Sequence, residues 1–271
     1  MQRFKLQAVS QHIQRIILPC GVCVYLVQGT NGAVLLDTGF GIGFGIGDLR
    51  GFVESLITTP YHVWLSHGHL DHAGGSAQFE EVFLSQADFA LEKQHNTWQR
   101  RYDEIISGPD GAPAGFTAQD LQPGRAAPYS PLKANSVLKL GGAQVQAIPV
   151  PGHTAGMQVF LIPEDRVAIF GDACGEMTLL AKEILPTYVA ALRHLQVYQD
   201  QFDTVLRNHG TFWSDKRILQ DNLELAEDII AGRDAAAPLK MMGVSGLSGR
   251  PQEHPGKYGN IFYTAARNVC W

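Results

Sequence analysis

Four side chains able to bind a cation fall within the six-residue run His67-Gly68-His69-Leu70-Asp71-His72, directly after a segment, His62 to Ser66, that reads as a strand. His67 and His69 alternate about a glycine, so both imidazoles aim at one point, and Gly68 keeps a further side chain from crowding it. Asp71 and His72 follow on the turn toward a helix and aim at a second, adjacent point. Neutral ring nitrogens beside a carboxylate are ordinary ligands for zinc, iron or manganese. A fold that uses such a run has to bring more donors to it from distant parts of the chain.

The rest of the sequence offers those donors in an echo of one plan. Arg15 to Leu18 and Val22 to Val27 read as strands, Gly29-Thr30-Asn31-Gly32 as a turn, and Ala33 to Leu36 as a strand ending at Asp37-Thr38-Gly39. The following glycines Gly41, Gly43, Gly45 and Gly47 lack the Lys and Ser/Thr of a phosphate cradle, and Asp48 to Leu56 reads as a short helix. The second half repeats the order. Gln144 to Val150 is a strand leading to Pro151-Gly152-His153-Thr154. Gln158 to Ile162 and Val167 to Phe170 form a hairpin ending at Gly171-Asp172. A helical region from Met177 to Tyr198 is broken at Pro186, Thr204 to Arg207 is a strand that delivers His209, and Asp215 to Ala231 is an amphipathic helix. Each half therefore runs from a hairpin ending in Asp (Asp37, Asp172), through helix, to a strand ending in His (His67, His209). A carboxylate at Asp172, just after an apolar strand, needs a partner if it is desolvated, and two adjacent cations would supply one. The candidate ligands are His67, His69, Asp71, His72, His153, Asp172 and His209, while His12, His62, His95, His194 and His254 read as ordinary surface or core residues.

The chain has 271 residues, 45% of them hydrophobic, which is enough for a large core without staples. A net charge of -5 with no Lys/Arg run argues against a nucleic-acid partner or an anionic membrane surface. No stretch reaches the ~20 apolar residues of a membrane span, and the first residues lack the features of a signal peptide. The expectation is a cytoplasmic protein acting on a small molecule. Cys20 and Cys23 have no second pair to complete a four-cysteine metal site and read as small buried residues beside a strand. Two regions lie outside the plan. An insertion over 86–131 runs from a polar, helical Gln86 to Ile106 into a long Gly/Pro/Ala-rich loop, and reads equally as a lid or as a surface insertion. An extension begins at about 235, with Asn260 to Thr264 as one last strand.

The run Ser66-His67-Gly68-His69-Leu70-Asp71-His72, together with Pro151-Gly152-His153-Thr154, Gly171-Asp172, His209 and the Asp37-Thr38-Gly39 loop, resembles the metallo-β-lactamase-fold superfamily over roughly residues 13 to 232. The resemblance implies an α/β fold, a four-layer αββα sandwich in a single domain over 1–271, with the site along one edge. It implies that one metal takes His67, His69 and His153, that the other takes Asp71, His72 and His209, and that Asp172 bridges them. Asp37 in such proteins supports a ligand from behind through a hydrogen bond.

The chemistry expected is hydrolysis by two divalent ions, zinc first and iron or manganese as alternatives, ~3.5–4 Å apart and sharing a hydroxide. Asp71 orients that hydroxide or shuttles its proton. The substrate is expected to be a small ester, thioester, lactone or phosphoester. The metal motifs are similar to those of glyoxalase-II-type thioesterases, although no basic C-terminal helical domain of the glutathione-holding kind is evident, and Ala173-Cys174-Gly175-Glu176 stands where lactonases of the superfamily often carry a Tyr. Phe40, Trp98, Cys174, Met177 and Trp213 are candidate pocket walls. Two other readings stand beside this one. The first is a mononuclear iron oxidoreductase acting on persulfides, and the second is a metal-binding protein without catalysis.

Overall fold

Seven strands lie side by side in chain order in a first sheet: β1 (Lys5–Ala8), β2 (Ile13–Ile17), β3 (Cys23–Gln28), β4 (Ala33–Leu36), β5 (Tyr61–Trp64), β6 (Phe83–Leu84) and β7 (Ser130–Pro131). The computed structural model describes residues 4–43, 48–108, 111–251, 256 and 258–265; Gly45, Gly47, His254, Pro255 and Cys270 lie outside them. A second sheet of six strands is built from β8 (Val137–Lys139), β9 (Gln144–Pro149), β10 (Gln158–Ile162), β11 (Val167–Ile169), β13 (Thr204–Leu206) and β14 (Trp213–Asp215), in the order β14-β13-β11-β10-β9-β8. The remaining strand of the second half, β12 (Thr178–Ala181), joins β15 (Ala237–Met241), β16 (Val244–Ser248) and β17 (Ile261–Thr264) in a smaller sheet, order β12-β17-β16-β15. The expected echo is present as topology. β3 and β4 are antiparallel and β5 then runs parallel to β4; β10 and β11 are antiparallel and β13 then runs parallel to β11.

Burial on both faces explains the layering. Successive side chains of a strand point to opposite faces. In β3, Cys23, Tyr25 and Val27 enter the core between the two large sheets, where they meet Val145, Ala147, Phe160 and Ile169 of the second sheet. Val24 and Leu26 point the other way, into a core shared with Leu49 and Val53 of α1 (Leu49–Leu56), Leu70 and Ala73 of α2 (Leu70–Ala73), and Ile105. α3 (Phe89–His95) and α4 (Trp98–Ser107) belong to the same side, both contacting α2. On the far face of the second sheet, Ile148, Val159 and Phe170 pack on α5 (Leu185–Gln196) and α6 (Arg217–Ala231) through Leu192, Leu195, Ile218 and Ile229. Helices, sheet, sheet, helices is the αββα order. Buried on both faces, β4 reads as a continuous apolar run, as does β10 from Val159 to Ile162.

Three local expectations are corrected. Met177 to Tyr198 is not a helix broken at Pro186: Thr178–Ala181 pairs in parallel with Ile261–Thr264 as a strand, and Pro186 sits in the first turn of α5. A proline there forfeits no helical hydrogen bond and carries a helical φ already, so it starts the helix. The last long helix begins at Arg217 instead of Asp215, because Trp213–Asp215 pairs with β13. The stretch from Ser107 to Pro131 is not wholly loop; it holds a 3-10 turn at Ala118–Asp120 and the edge strand β7. Among the described residues no helix is long and apolar enough to cross a membrane.

Candidate metal centre

The donor residues sit a few positions beyond strand ends on one rim of the two large sheets. β5 leads to His67, β9 to His153, β11 to Asp172 and β13 to His209, while α2 opens at His69 and carries Asp71 and His72. Backbone pairing has stopped at these points, so side chains are free to turn toward a common centre while the sheets fix their origins.

Three imidazoles make a first group. His69 Nδ1 lies 3.1 Å from His67 Nε2 and 2.9 Å from His153 Nε2. His153 Nδ1 faces the Leu179 carbonyl at 3.2 Å, and His67 Nδ1 faces Ser66 Oγ at 3.0 Å. Ser66 Oγ spends its own proton on Asp37 Oδ2 at 2.9 Å, so it accepts from His67. With both Nδ1 atoms donating, the Nε2 atoms of His67 and His153 present lone pairs to the same spot. Burial, followed by the neighbouring imidazoles, holds His67 and His69 well below the usual histidine range, so both rings are neutral.

Asp71, His72, Asp172 and His209 make a second group, and within each group the donor atoms all lie within 4.8 Å of one another. His72 Nδ1 donates to Asp37 Oδ2 at 2.9 Å, which turns its Nε2 inward, 3.2 Å from His209 Nε2 and 3.4 Å from Asp71 Oδ2. His209 Nε2 lies 3.0 Å from Asp71 Oδ2 and 3.6 Å from Asp172 Oδ1. Asp172 touches both groups, with Oδ2 at 3.6 Å from His72 Nε2 and 3.6 Å from His153 Nε2. Desolvation opposes charge on His72, but Asp71, Asp172 and Asp37 outweigh it and raise its pKa well above the ordinary value. Desolvation likewise opposes charge on Asp71 and Asp172, and His72 and His209 overcome it, holding both carboxyls well below the usual range. Lone pairs converging in one group, and anionic oxygens beside inward ring nitrogens whose protons a cation would displace in the other, are a donor set that a divalent cation fits at each.

Asp37 stands behind the second group. Besides His72 it accepts from Ser66 N at 2.7 Å and from Asn208 Nδ2 at 3.1 Å. It does so from a left-handed backbone, φ 68°, of the kind stored at functional sites. A second buried carboxylate does the same work for the first group and is not signalled by the sequence. Asp88 accepts from Gly68 N at 3.0 Å, Thr154 Oγ1 at 2.7 Å and Gly156 N at 2.7 Å, so one side chain ties the His67–His69 loop to the His153 loop. Burial raises its pKa, and the three donors pull against that rise. Its closeness explains two glycines. A Cβ on Gly156 would lie 2.6 Å from Asp88 Cγ, and one on Gly68 would press on Asp88 and Glu92 at 3.1–3.2 Å. Gly68 thus makes room for Asp88 and Glu92, where the run alone suggested that it clears the point of coordination. His95, read from the sequence as ordinary, also belongs to the surroundings: its ring lies 4.5 Å from that of His69.

A cavity of about 470 Å³ adjoins the two groups, with Asp71 and Asp172 among its lining residues. Those two carboxylates keep 19% and 21% of their side chains exposed, enough to reach a bound molecule. Phe40 and Met177 line the cavity. Cys174, Trp98 and Trp213 do not. Cys174 is buried against α6, donates to the Ile218 carbonyl, and has its thiol pushed up to about 12 by burial. Trp98 stacks on Tyr102 on the outside of α4, and Trp213 is exposed on β14. The insertion does reach the site, through Arg100, Asp103, Glu104 and Ile105 of α4. Cys20, Cys23 and Cys174 form no disulfide; Cys23 donates to the Arg207 carbonyl, and burial pushes its thiol up to about 12.

Against known proteins, the family model described as "Metallo-beta-lactamase superfamily" matches residues 17–201. Acyl-coenzyme A thioesterase MBLAC2 of Bos taurus is 28% identical over 171 residues, 58% of this chain and 60% of that protein. Hydroxyacylglutathione hydrolase of Hyphomonas neptunium is 28% identical over 120 residues, 44% of this chain and 36% of that protein. The chain therefore spans about 60% or less of the length of these relatives. Among solved structures, the metallo-beta-lactamase from Pontibacter korlensis superposes with a TM-score of 0.57 at 19% identity, covering 83% of this chain and 99% of that one.

Proposed function

We propose, from the premise that this chain belongs to the metallo-β-lactamase superfamily, that it is a metal-dependent hydrolase of small thioesters, using two divalent cations with zinc the preferred one. His67, His69 and His153 would hold one ion and Asp71, His72 and His209 the other, with Asp172 shared. The observation that carries this reading is the position of Asp172 Oδ2, at 3.6 Å from a ring nitrogen of each group. It also weighs against a mononuclear iron site, which would leave Asp71, His72 and His209 without a task.

Bound there, divalent ions supply Lewis acidity and lower the pKa of water toward neutrality. The chain's own part is orientation and proton movement. Asp71, partly exposed to the cavity, orients the attacking water and accepts its proton on a carboxylate oxygen. A thiol with a pKa of ~8.5 departs as its anion far more readily than an alcohol, so a thioester asks least of the chain's own proton donors and is preferred to esters, lactones or phosphoesters. The names of the two relatives, which act on acyl-coenzyme A and hydroxyacylglutathione, point the same way.

The test is elemental analysis followed by turnover of acyl-coenzyme A, S-acylglutathione, ester, lactone and phosphodiester substrates with zinc, manganese or iron. Two ions per chain with thioesters cleaved fastest is the expected result. One iron per chain with oxygen consumed on a persulfide, or metal bound with no turnover across the panel, would overturn it.

A further inference from the structure

The cavity has walls of two kinds. From α4 come the polar Arg100, Asp103, Glu104 and Ser107 beside Ile105, while Met177, Leu179 of β12 and Met242 of the C-terminal hairpin are all apolar. Met242 is the unusual member. β15 and β16 pair Met241 with Val244, so Met242 and Gly243 form a two-residue turn, and both have positive φ, 47° and 79°. Such a turn favours Asn, Asp or Gly at its first position. Here a long, flexible, apolar side chain is held there, 59% exposed, at the edge of the site. Neither turn formation nor core packing calls for methionine at this place, and contact with something entering the cavity does.

We propose that Met242 is a specificity-determining residue: its side chain covers the outer part of an aliphatic acyl group lying along Met177 and Leu179, while the polar leaving group faces α4. This rests on the hydrolase reading above. On this proposal Met242 meets the far end of the acyl chain, so it acts on longer acyl groups and not on short ones held at the metal centre.

Glycine and asparagine suit the left-handed turn better than methionine does, so Met242→Gly and Met242→Asn remove the contact without endangering the hairpin. The experiment compares acetyl-, butyryl-, octanoyl- and palmitoyl-coenzyme A on the zinc-loaded protein and these variants, with Met242→Leu as the conservative control. Both turn-compatible variants are expected to raise KM for the longer acyl groups about ten-fold, leaving kcat and the acetyl values unchanged, and Met242→Leu to keep most of the preference. A long-to-short KM ratio unchanged within about two-fold, or an equal loss on acetyl and palmitoyl substrates, would overturn the proposal. Calorimetric binding of octanoate against acetate reads the same ratio without turnover. If the protein cleaves no thioester, the hydrolase reading fails, while an octanoate preference lost in Met242→Gly still supports the role of Met242, and its absence from the unaltered protein overturns it.

Discussion

Asp172 and Asp88 both sit among metal-ligand loops, but they do opposite jobs, and their variants should separate accordingly. Asp172→Ala removes the one carboxylate that, among the described residues, contacts both donor groups. Metal content and activity are expected to fall together, and a variant that keeps both would show that Asp172 does not bridge. Asp88→Asn keeps the shape but puts an NH2 where an oxygen accepts from Gly68, Thr154 or Gly156. The His153 loop then loosens against the His67 loop. Affinity of the three-histidine group is expected to drop about ten- to a hundred-fold, read by zinc titration against a competing chelator, while the second group, anchored by Asp37, stays loaded. The two residues also differ in how visible they are in the sequence. Asp172 follows an apolar strand and has a counterpart in Asp37, so its place in the plan marks it. Asp88 is one aspartate in a polar stretch, and its importance lies wholly in three contacts made across the fold. Only the glycines it crowds leave a trace, and a glycine does not say what it makes room for.

Helix α4 shows the same limit for an element. Trp98 reads from the sequence as a pocket wall, yet it stacks on Tyr102 away from the cavity, and Arg101 and Ile105 are the buried pair. An arginine can be buried because its stem is apolar and its guanidinium meets carbonyl groups. Arg101 donates to the carbonyls of Phe40 and Gly74 through one nitrogen and to that of Gln122 through the other, pinning the helix over the cavity. Burial lowers its pKa to about 10, so it is still charged at neutral pH. Arg101→Met fills the space but strands those carbonyls. A loss of about 3 kcal/mol in urea unfolding is expected, with KM for thioesters raised as the Arg100–Glu104 wall shifts. An unchanged unfolding midpoint would show that α4 is held by its apolar contacts alone. Pro186 makes the complementary point: it is a helix breaker or a helix starter according to where the helix begins, and the pairing of β12 with a strand more than eighty positions later decides that.

At the scale of the molecule the internal echo was legible, because paired sheets buried on both faces write long apolar runs into the sequence; the contacts that join the halves were not, because they are single polar groups. Asp165 is one of them. It sits in the turn between β10 and β11 and accepts from Ser10 Oγ at 2.5 Å and His12 N at 3.1 Å, with His12 Nδ1 at 2.7 Å. It thereby latches the second sheet to the turn between β1 and β2. Desolvation raises its pKa, but the Ser10 and His12 bonds outweigh that and leave it below the ordinary value. A carboxyl depressed in the folded state binds fewer protons there than in the unfolded chain. Its stabilising contribution is therefore complete above the unfolded value of 3.8 and is lost as pH falls through the folded one. Asp165→Asn has no such charge to lose. Near neutral pH the variant should be less stable by about 1–3 kcal/mol, and the gap should narrow as pH drops below about 4. Urea unfolding of both proteins at neutral and acid pH measures this. Taking the difference cancels the titration of the metal ligands, which the two proteins share. A gap that stays constant across that range would mean that the latch works through neutral hydrogen bonding and not through the charge on Asp165.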